Sequence, residues 1–193
     1  SGYPIPQSEQ NADVNVGYYG NETPSVVVSN AVLYNQIRSL SVWQNSTLKI
    51  TAQGGNGNVF ATAGLQNNGT IIIDTPSKVE LGGVTSGNGT LTILNNDGNV
   101  SFDDSYLNNG TLNLVNSTLG TLATPITIAG GTINLQQNST LIANLYGEGS
   151  TINVDPASTN TLYVNDRFSN SSGSLQNTVI NGVSENTHFG ILS

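Results

Sequence analysis

The chain has no cysteine and no methionine, and in 193 residues only Arg38, Lys49, Lys78 and Arg167 carry a positive charge. Without cysteine there is neither a disulfide framework nor a thiolate metal site, so packing and hydrogen bonds must hold the fold together. Four cations against twelve carboxylates give a formal charge of -8 and leave no basic patch to neutralise phosphates, which excludes nucleic acid and anionic membrane as expected partners. Charged residues make up 8% of the chain, against about 25% in an ordinary soluble domain. Asn, Ser, Thr and Gly fill the polar positions instead. Such a surface has few groups that change protonation on folding, so stability is expected to depend weakly on pH and salt. No apolar run approaches the ~18 residues of a membrane-spanning helix, and no membrane insertion is expected. The chain opens Ser1-Gly2-Tyr3 without a methionine, and it reads as a processed, exported product located at the cell surface.

The means for catalysis are equally sparse. The single histidine, His188, is the one base a Ser-His-Asp triad could use, and Cys-His and multi-His chemistry are excluded. Asp97, Asp103 and Asp104 fall close together, with Lys78 and Glu80 nearby. A shallow calcium site is one reading of the three carboxylates, and a plain Asn95-Asn96-Asp97-Gly98 turn is the other. No catalytic residue, metal or cofactor is assigned, and a non-enzymatic role is expected. A polysaccharide-processing enzyme is the least favoured reading, because no acid/base set is visible.

What the chain does have is an internal repeat. Six units open on a Thr followed by alternating apolar residues, at Thr47 (TLKI), Thr70 (TIII), Thr90 (TLTI), Thr111 (TLNL), Thr132 (TINL) and Thr151 (TINV), with spacings of 23, 20, 21, 21 and 19 residues. Residues one and three after each Thr are apolar, the period-two pattern of a half-buried strand. A second short strand follows about ten residues later in each unit, from Val59 to Ala61 in the first and Leu162 to Val164 in the last. In-phase apolar positions at this spacing predict an all-β fold, a β-solenoid (right-handed β-helix) of about six coils with an N-terminal cap, whose stacked coils bury columns of like side chains. A pilin-like β-sandwich with strand donation is the alternative, since strands between turns every 8 to 12 residues also describe packed hairpins. Leu91, Ile93, Leu112, Leu114, Ile133, Leu135, Ile152 and Val154 are the expected core.

Three regions follow: an extended segment or cap over 1–44, the repeat domain over 45–165, and a C-terminal cap or tail over 166–193. In the first, Ser29 could cap a short helix with Leu33, Ile37 and Leu40 on one face. Two edge strands around Val26 to Val28 are the competing reading. Tyr3, Tyr18, Tyr19, Tyr34 and Trp43 cluster before the repeats, as a contact surface or as cap packing. Pro4, Pro6 and Pro24 favour an extended approach, and the Val14, Val16, Tyr18 alternation could fill every second pocket of an acceptor strand row. Open strand edges at either end of the fold need such pairing.

Nine Asn-x-Ser/Thr sequons occur, at Asn21, Asn45, Asn68, Asn88, Asn99, Asn109, Asn116, Asn138 and Asn170. Random order of 28 Asn and 42 Ser plus Thr would give roughly six. Placement says more than number, because Asn45, Asn68, Asn88 and Asn109 stand two residues before a unit-opening Thr. In a solenoid these would recur about 4.8 Å apart, too close for a glycan on each. The turn reading makes Asn-Gly the source of a positive φ. Asn68, Asn88 and Asn109 are expected to be the best exposed acceptors.

The run LNNGTLNLVNSTLGTLATPITIAGGTINLQQNSTLIANL resembles the coils of β-helical surface adhesins, the filamentous-haemagglutinin-like and autotransporter passenger domains, over about 120 residues. The cysteine-free, charge-poor, sequon-rich composition separately resembles glycosylated thread-type pilus subunits of thermoacidophilic archaea. The second resemblance implies subunits that join head to tail by donating a β-strand, with Asp13 to Tyr19 or Pro24 to Val28 as donor and Val14, Val16, Tyr18, Val26 and Val28 as assembly residues. The expected function is therefore a subunit of an extracellular filament serving adhesion or biofilm formation, with copies of itself, and cell-surface or matrix glycans, as partners. A monomeric adhesin domain is the alternative.

Overall fold

The computed structural model describes residues 12–17, 23–29, 37–53, 58–82, 87–102, 106–107, 109–146, 150–165 and 178–192. Among them every regular element is a strand: β1 (Ala12–Val16), β2 (Ser25–Val28), β3 (Ile37–Val42), β4 (Thr47–Ile50), β5 (Asn58–Thr62), β6 (Leu65–Asn67) and β7 (Thr70–Asp74). There follow β8 (Lys78–Leu81), β9 (Thr90–Leu94), β10 (Val100–Phe102), β11 (Tyr106–Leu107), β12 (Thr111–Val115), β13 (Thr118–Leu119) and β14 (Ile126–Ala129). The last are β15 (Thr132–Gln136), β16 (Thr140–Tyr146), β17 (Thr151–Val154), β18 (Asn160–Asn165), β19 (Val179–Asn181) and β20 (Thr187–Leu192).

The protein is a β-solenoid. Its main sheet has eight strands in the order β19-β17-β15-β12-β9-β7-β4-β2, so each coil adds one strand beside that of the coil before. Every pairing in it is parallel, and the unit-opening threonines meet one another: Thr47 pairs with Thr70, Thr70 with Thr90, Thr90 with Thr111, Thr111 with Thr132 and Thr132 with Thr151. The second strands of the units stack on a neighbouring face as β5, β8 and β10, and further along as β13, β16, β18 and β20. The strands preceding the units form a third face, with β1, β3 and β6 at one end and β11, β14 and the second half of β16 at the other. The sandwich alternative is thereby corrected, because hairpins would make these ladders antiparallel.

The core follows from register. The residue after each Thr forms the column Leu48, Ile71, Leu91, Leu112, Ile133, Ile152, and the residue two further on forms Ile50, Ile73, Ile93, Leu114, Leu135, Val154, all 3% exposed or less. All eight expected core residues belong to these columns. Each such side chain, taken from water, contributes about 1.5–3 kcal/mol.

Two corners confine the main sheet, and each is built from small residues. Before the strands stand Ser46, Gly69, Gly89, Gly110, Gly131 and Ser150, whose carbonyls accept the N–H of the next coil's first strand residue at 2.8–3.0 Å. A Cβ on Gly69 would lie 2.3 Å from the Trp43 carbonyl oxygen and 2.5 Å from that of Ser46, and one on Gly89 would lie 2.4 Å from that of Gly69. Room, rather than a positive φ, requires glycine at these two Asn-Gly turns, which corrects the turn reading. Positive φ falls instead on Asn45 (66°), Asn116 (47°) and Asn138 (64°), each followed by a buried serine.

Beyond the strands lies a buried polar ladder. The N–H of Asn96 donates to Ser117 Oγ (3.2 Å), that of Ser117 to Ser139 Oγ (3.2 Å), and that of Ser139 to Asn160 Oδ1 (2.9 Å). Turning the chain inward strands one backbone N–H per coil, and a short side chain from the next coil satisfies it.

Stacked strands extend outside 45–165 in both directions, from β1 to β20. The helix reading of 29–40 is corrected for its described part, since Ile37 and Leu40 lie buried in β3. Residues 30–36 lie outside the described residues.

Truncating Leu112 to Ala should cost about 2–5 kcal/mol in urea unfolding. Gly69→Ala, which adds a single methyl against backbone, should cost about 1–3 kcal/mol. The exposed substitution Gln66→Ala should stay within about 0.5 kcal/mol. Equal midpoints for all three would contradict the column packing.

Candidate functional site

The outward face of the main sheet is the most regular surface of the molecule. Its first column is the six threonines from Thr47 to Thr151, each half-buried, with a hydroxyl that has no protein partner among the described residues. Two residues along each strand runs the second column, Lys49, Ile72, Thr92, Asn113, Asn134, Asn153 and Asn181. Its amides bond in sequence: Asn113 Nδ2 donates to Thr92 Oγ1 (3.1 Å), Asn134 to Asn113 Oδ1 (2.7 Å), Asn153 to Asn134 (2.8 Å) and Asn181 to Asn153 (3.0 Å). An amide has two N–H donors and two acceptor sites, so each inner Asn keeps one of each to spare. Within the two columns the one charged residue is Lys49, which pairs with Asp74 at 2.9 Å, and from β9 to β17 both columns are neutral. Sequence reasoning quoted TLNL, TINL and TINV for their apolar residues and missed the ladder. The recurring Asn at the third position was the signal.

The two ends form a second feature. Val26 pairs with Leu48 and Phe189 with Leu162, so both stand in core columns. Yet Val26 is 42% and Phe189 47% exposed, against 2% for Leu48 and 0% for Leu162. Val27, Val179 and Val183 add exposed apolar area at the same ends.

The expected assembly residues are placed differently from the donor-strand picture. Val14 and Val16 lie in β1, in parallel register with Leu40 and Val42 of β3, and Val26 and Val28 lie in β2 against Leu48 and Ile50. Val16 is buried, and the main chain of both segments bonds within the chain, as in Trp43 N–H to Val16 O (3.0 Å) and Thr51 N–H to Val28 O (2.9 Å). Both segments are edge strands whose valines are in phase with the chain's own columns. Tyr18 lies outside the described residues.

Of the sequons, Asn45, Asn88, Asn99, Asn109, Asn116 and Asn138 are exposed, Asn68 is half-buried, and Asn21 and Asn170 lie outside the described residues. Asn68 Oδ1 accepts the Asn88 N–H (3.3 Å), so Asn68 is not among the best exposed as expected. Asn99 Nδ2 donates to the Pro76 carbonyl (2.9 Å), Asn116 Nδ2 to Asn95 Oδ1 (3.0 Å), and Asn138 Oδ1 accepts the Thr159 N–H (3.1 Å).

His188 is exposed on β20 beside Thr161. Asp97 accepts a hydrogen bond from Thr118 Oγ1 (3.2 Å), Lys78 and Glu80 stand 4.0 Å apart, and Asp103 and Asp104 lie outside the described residues. Among the described residues no three His, Cys, Asp or Glu side chains gather as metal ligands. Trp43 is half-buried, its Nε1 donating to Asn15 Oδ1 (3.4 Å), while Tyr3, Tyr18, Tyr19 and Tyr34 lie outside the described residues.

Charge is concentrated where β1 meets β3. Asp13 accepts from Arg38 Nε (3.0 Å) and Nη2 and from Ser39 Oγ (2.5 Å). The hydrogen bonds from Arg38 and then Ser39 lower its pKa from 3.8 to about 2. Comparison of the chain with protein-family models, with curated proteins and with solved structures finds no match.

A depressed carboxylate pKa stabilises the fold above the unfolded value, and the contribution is lost as pH falls through the folded one. The docking of β1, followed by Trp43 fluorescence, should hold at 3.8 and weaken as pH falls toward about 2. In Asp13→Asn the acid step should shrink, and an unchanged step would assign it to other groups.

Proposed function

We propose that the chain is a non-enzymatic, extracellular structural protein: a glycan-bearing subunit of a surface filament whose solenoids stack head to tail and serve adhesion or biofilm formation. The observation that carries this reading is the exposure of core-phase side chains at both ends, Val26 on the edge strand β2 and Phe189 on the edge strand β20. Exposed apolar residues next to free strand edges are a template for another chain. All main-sheet strands run parallel, so a second copy added in the same orientation continues both the sheet and the columns. The same contact cannot be made between two like ends without reversing strand direction, so the interface is heterologous and the array stays open.

Electron microscopy of the native material should reveal filaments with an axial repeat, and sedimentation should show concentration-dependent growth. Val26→Asp and Phe189→Asp should each stop polymerisation, and because each keeps one intact end, the mixture should form one-to-one dimers and nothing longer. Dimers formed by either variant alone would overturn head-to-tail stacking. A wild-type chain that stays monomeric at every concentration would favour the single adhesin domain. Site-resolved mass spectrometry of native protein tests the glycans, and an unmodified mass would remove them from the reading.

A further inference from the structure

We propose that the threonine and asparagine columns of the main sheet bind an ordered water lattice, so that the protein adsorbs to ice. The inference does not depend on end-to-end stacking. It starts from unspent hydrogen-bonding capacity arranged as a grid. The hydroxyls of Thr90, Thr111 and Thr132 have no partner among the described residues, and Asn113, Asn134 and Asn153 each retain an N–H and an acceptor site after the ladder bonds are made.

The grid is regular in two directions. Parallel in-register pairing repeats it every ~4.8 Å along the solenoid, and alternate residues of a strand are ~6.7 Å apart. Sheets normally twist, and side-chain ladders are among the features that keep them flat. Ladder bonds of 2.7, 2.8 and 3.0 Å hold the amides in line. Threonine is stiff about χ1, so its hydroxyl and methyl keep their places.

Fixing a water on a surface costs entropy, and a rigid periodic array meets a crystal in which that ordering already exists. Neutrality favours the same partner, because an ion would impose its own hydration shell. A neutral polysaccharide is the competing ligand. The two columns present no aromatic ring to a sugar face from β9 to β17.

The test uses the full chain in slow directional freezing and in freezing-point hysteresis under the microscope. Wild type should enter the growing ice, facet the crystals and depress their growth temperature. Thr132→Tyr should abolish all three by lifting the crystal off the plane, and Thr111→Val, which keeps shape and strand propensity but lacks the hydroxyl, should weaken them even if the tyrosine variant unfolds. Gln66→Tyr, on the face formed by β1, β3 and β6, should behave as wild type. Val26→Asp should also still enter ice, which separates a failed lattice face from a failed filament. Exclusion of folded wild type from ice would overturn the proposal. So would retention of ice binding by folded Thr132→Tyr, or Thr132-dependent co-sedimentation with cellulose or chitin in place of ice binding.

Discussion

One constraint governs the molecule: parallel strands in register set each residue on its counterpart in the next coil, one strand spacing of ~4.8 Å away. Whatever a position holds is repeated as a column. Apolar residues gain by this, since branched side chains pack well along a pleated ladder. Charged residues lose, because like charges directly opposite repel. The sparse charge, 8% of the sequence, is thus a consequence of the architecture rather than an independent property. Asparagine is the polar side chain that suits a column, because each amide both donates and accepts. A carboxylate only accepts, and at Asp74 and Asp13 it is held by a cation from an adjacent strand.

The corners obey the same rule with less room. Coils approach so closely before the main sheet that glycine or serine is needed there, and after it a stranded N–H per coil calls for a short hydroxyl or amide. Asn-Ser-Thr at 116–118 and 138–140 satisfies three demands in succession: a left-handed residue, a buried hydroxyl and an outward strand residue. Much of the sequon surplus therefore arises from turn geometry. Whether a glycan is attached is a separate matter, decided by the cell and by spacing.

The repeat domain was legible because its period is marked twice, by the opening Thr and by the apolar alternation behind it. The N-terminal coil was not. Val14 and Val16 follow no Thr and stand 26 residues before their partners, and a serine takes the place of the Thr before Val26, so their phase becomes visible only once Val16 is found over Val42 and Val26 over Leu48. The Asn-Gly turns misled for a different reason. Glycine answers to two needs, a positive φ or a lack of space, and a sequence does not say which. The candidate face was written in the third position of each unit, but strand periodicity directs attention to the alternate, buried set.

A solenoid is close to one-dimensional in its energetics, with each coil held mainly by its two neighbours. Terminal coils have one neighbour, so the exposed Val26 and Phe189 mark the least supported ends of the stack. In the proposed filament the nearest-neighbour contact that completes the core inside the chain would complete it between chains, and covering either end would stabilise the coil beneath by mass action. The outward columns gain nothing from that contact in strength, only in length: every coil added extends the grid by one row. End faces and side face are thus two expressions of a single periodicity, one set by what each column leaves uncovered where it stops, the other by what it presents along its course.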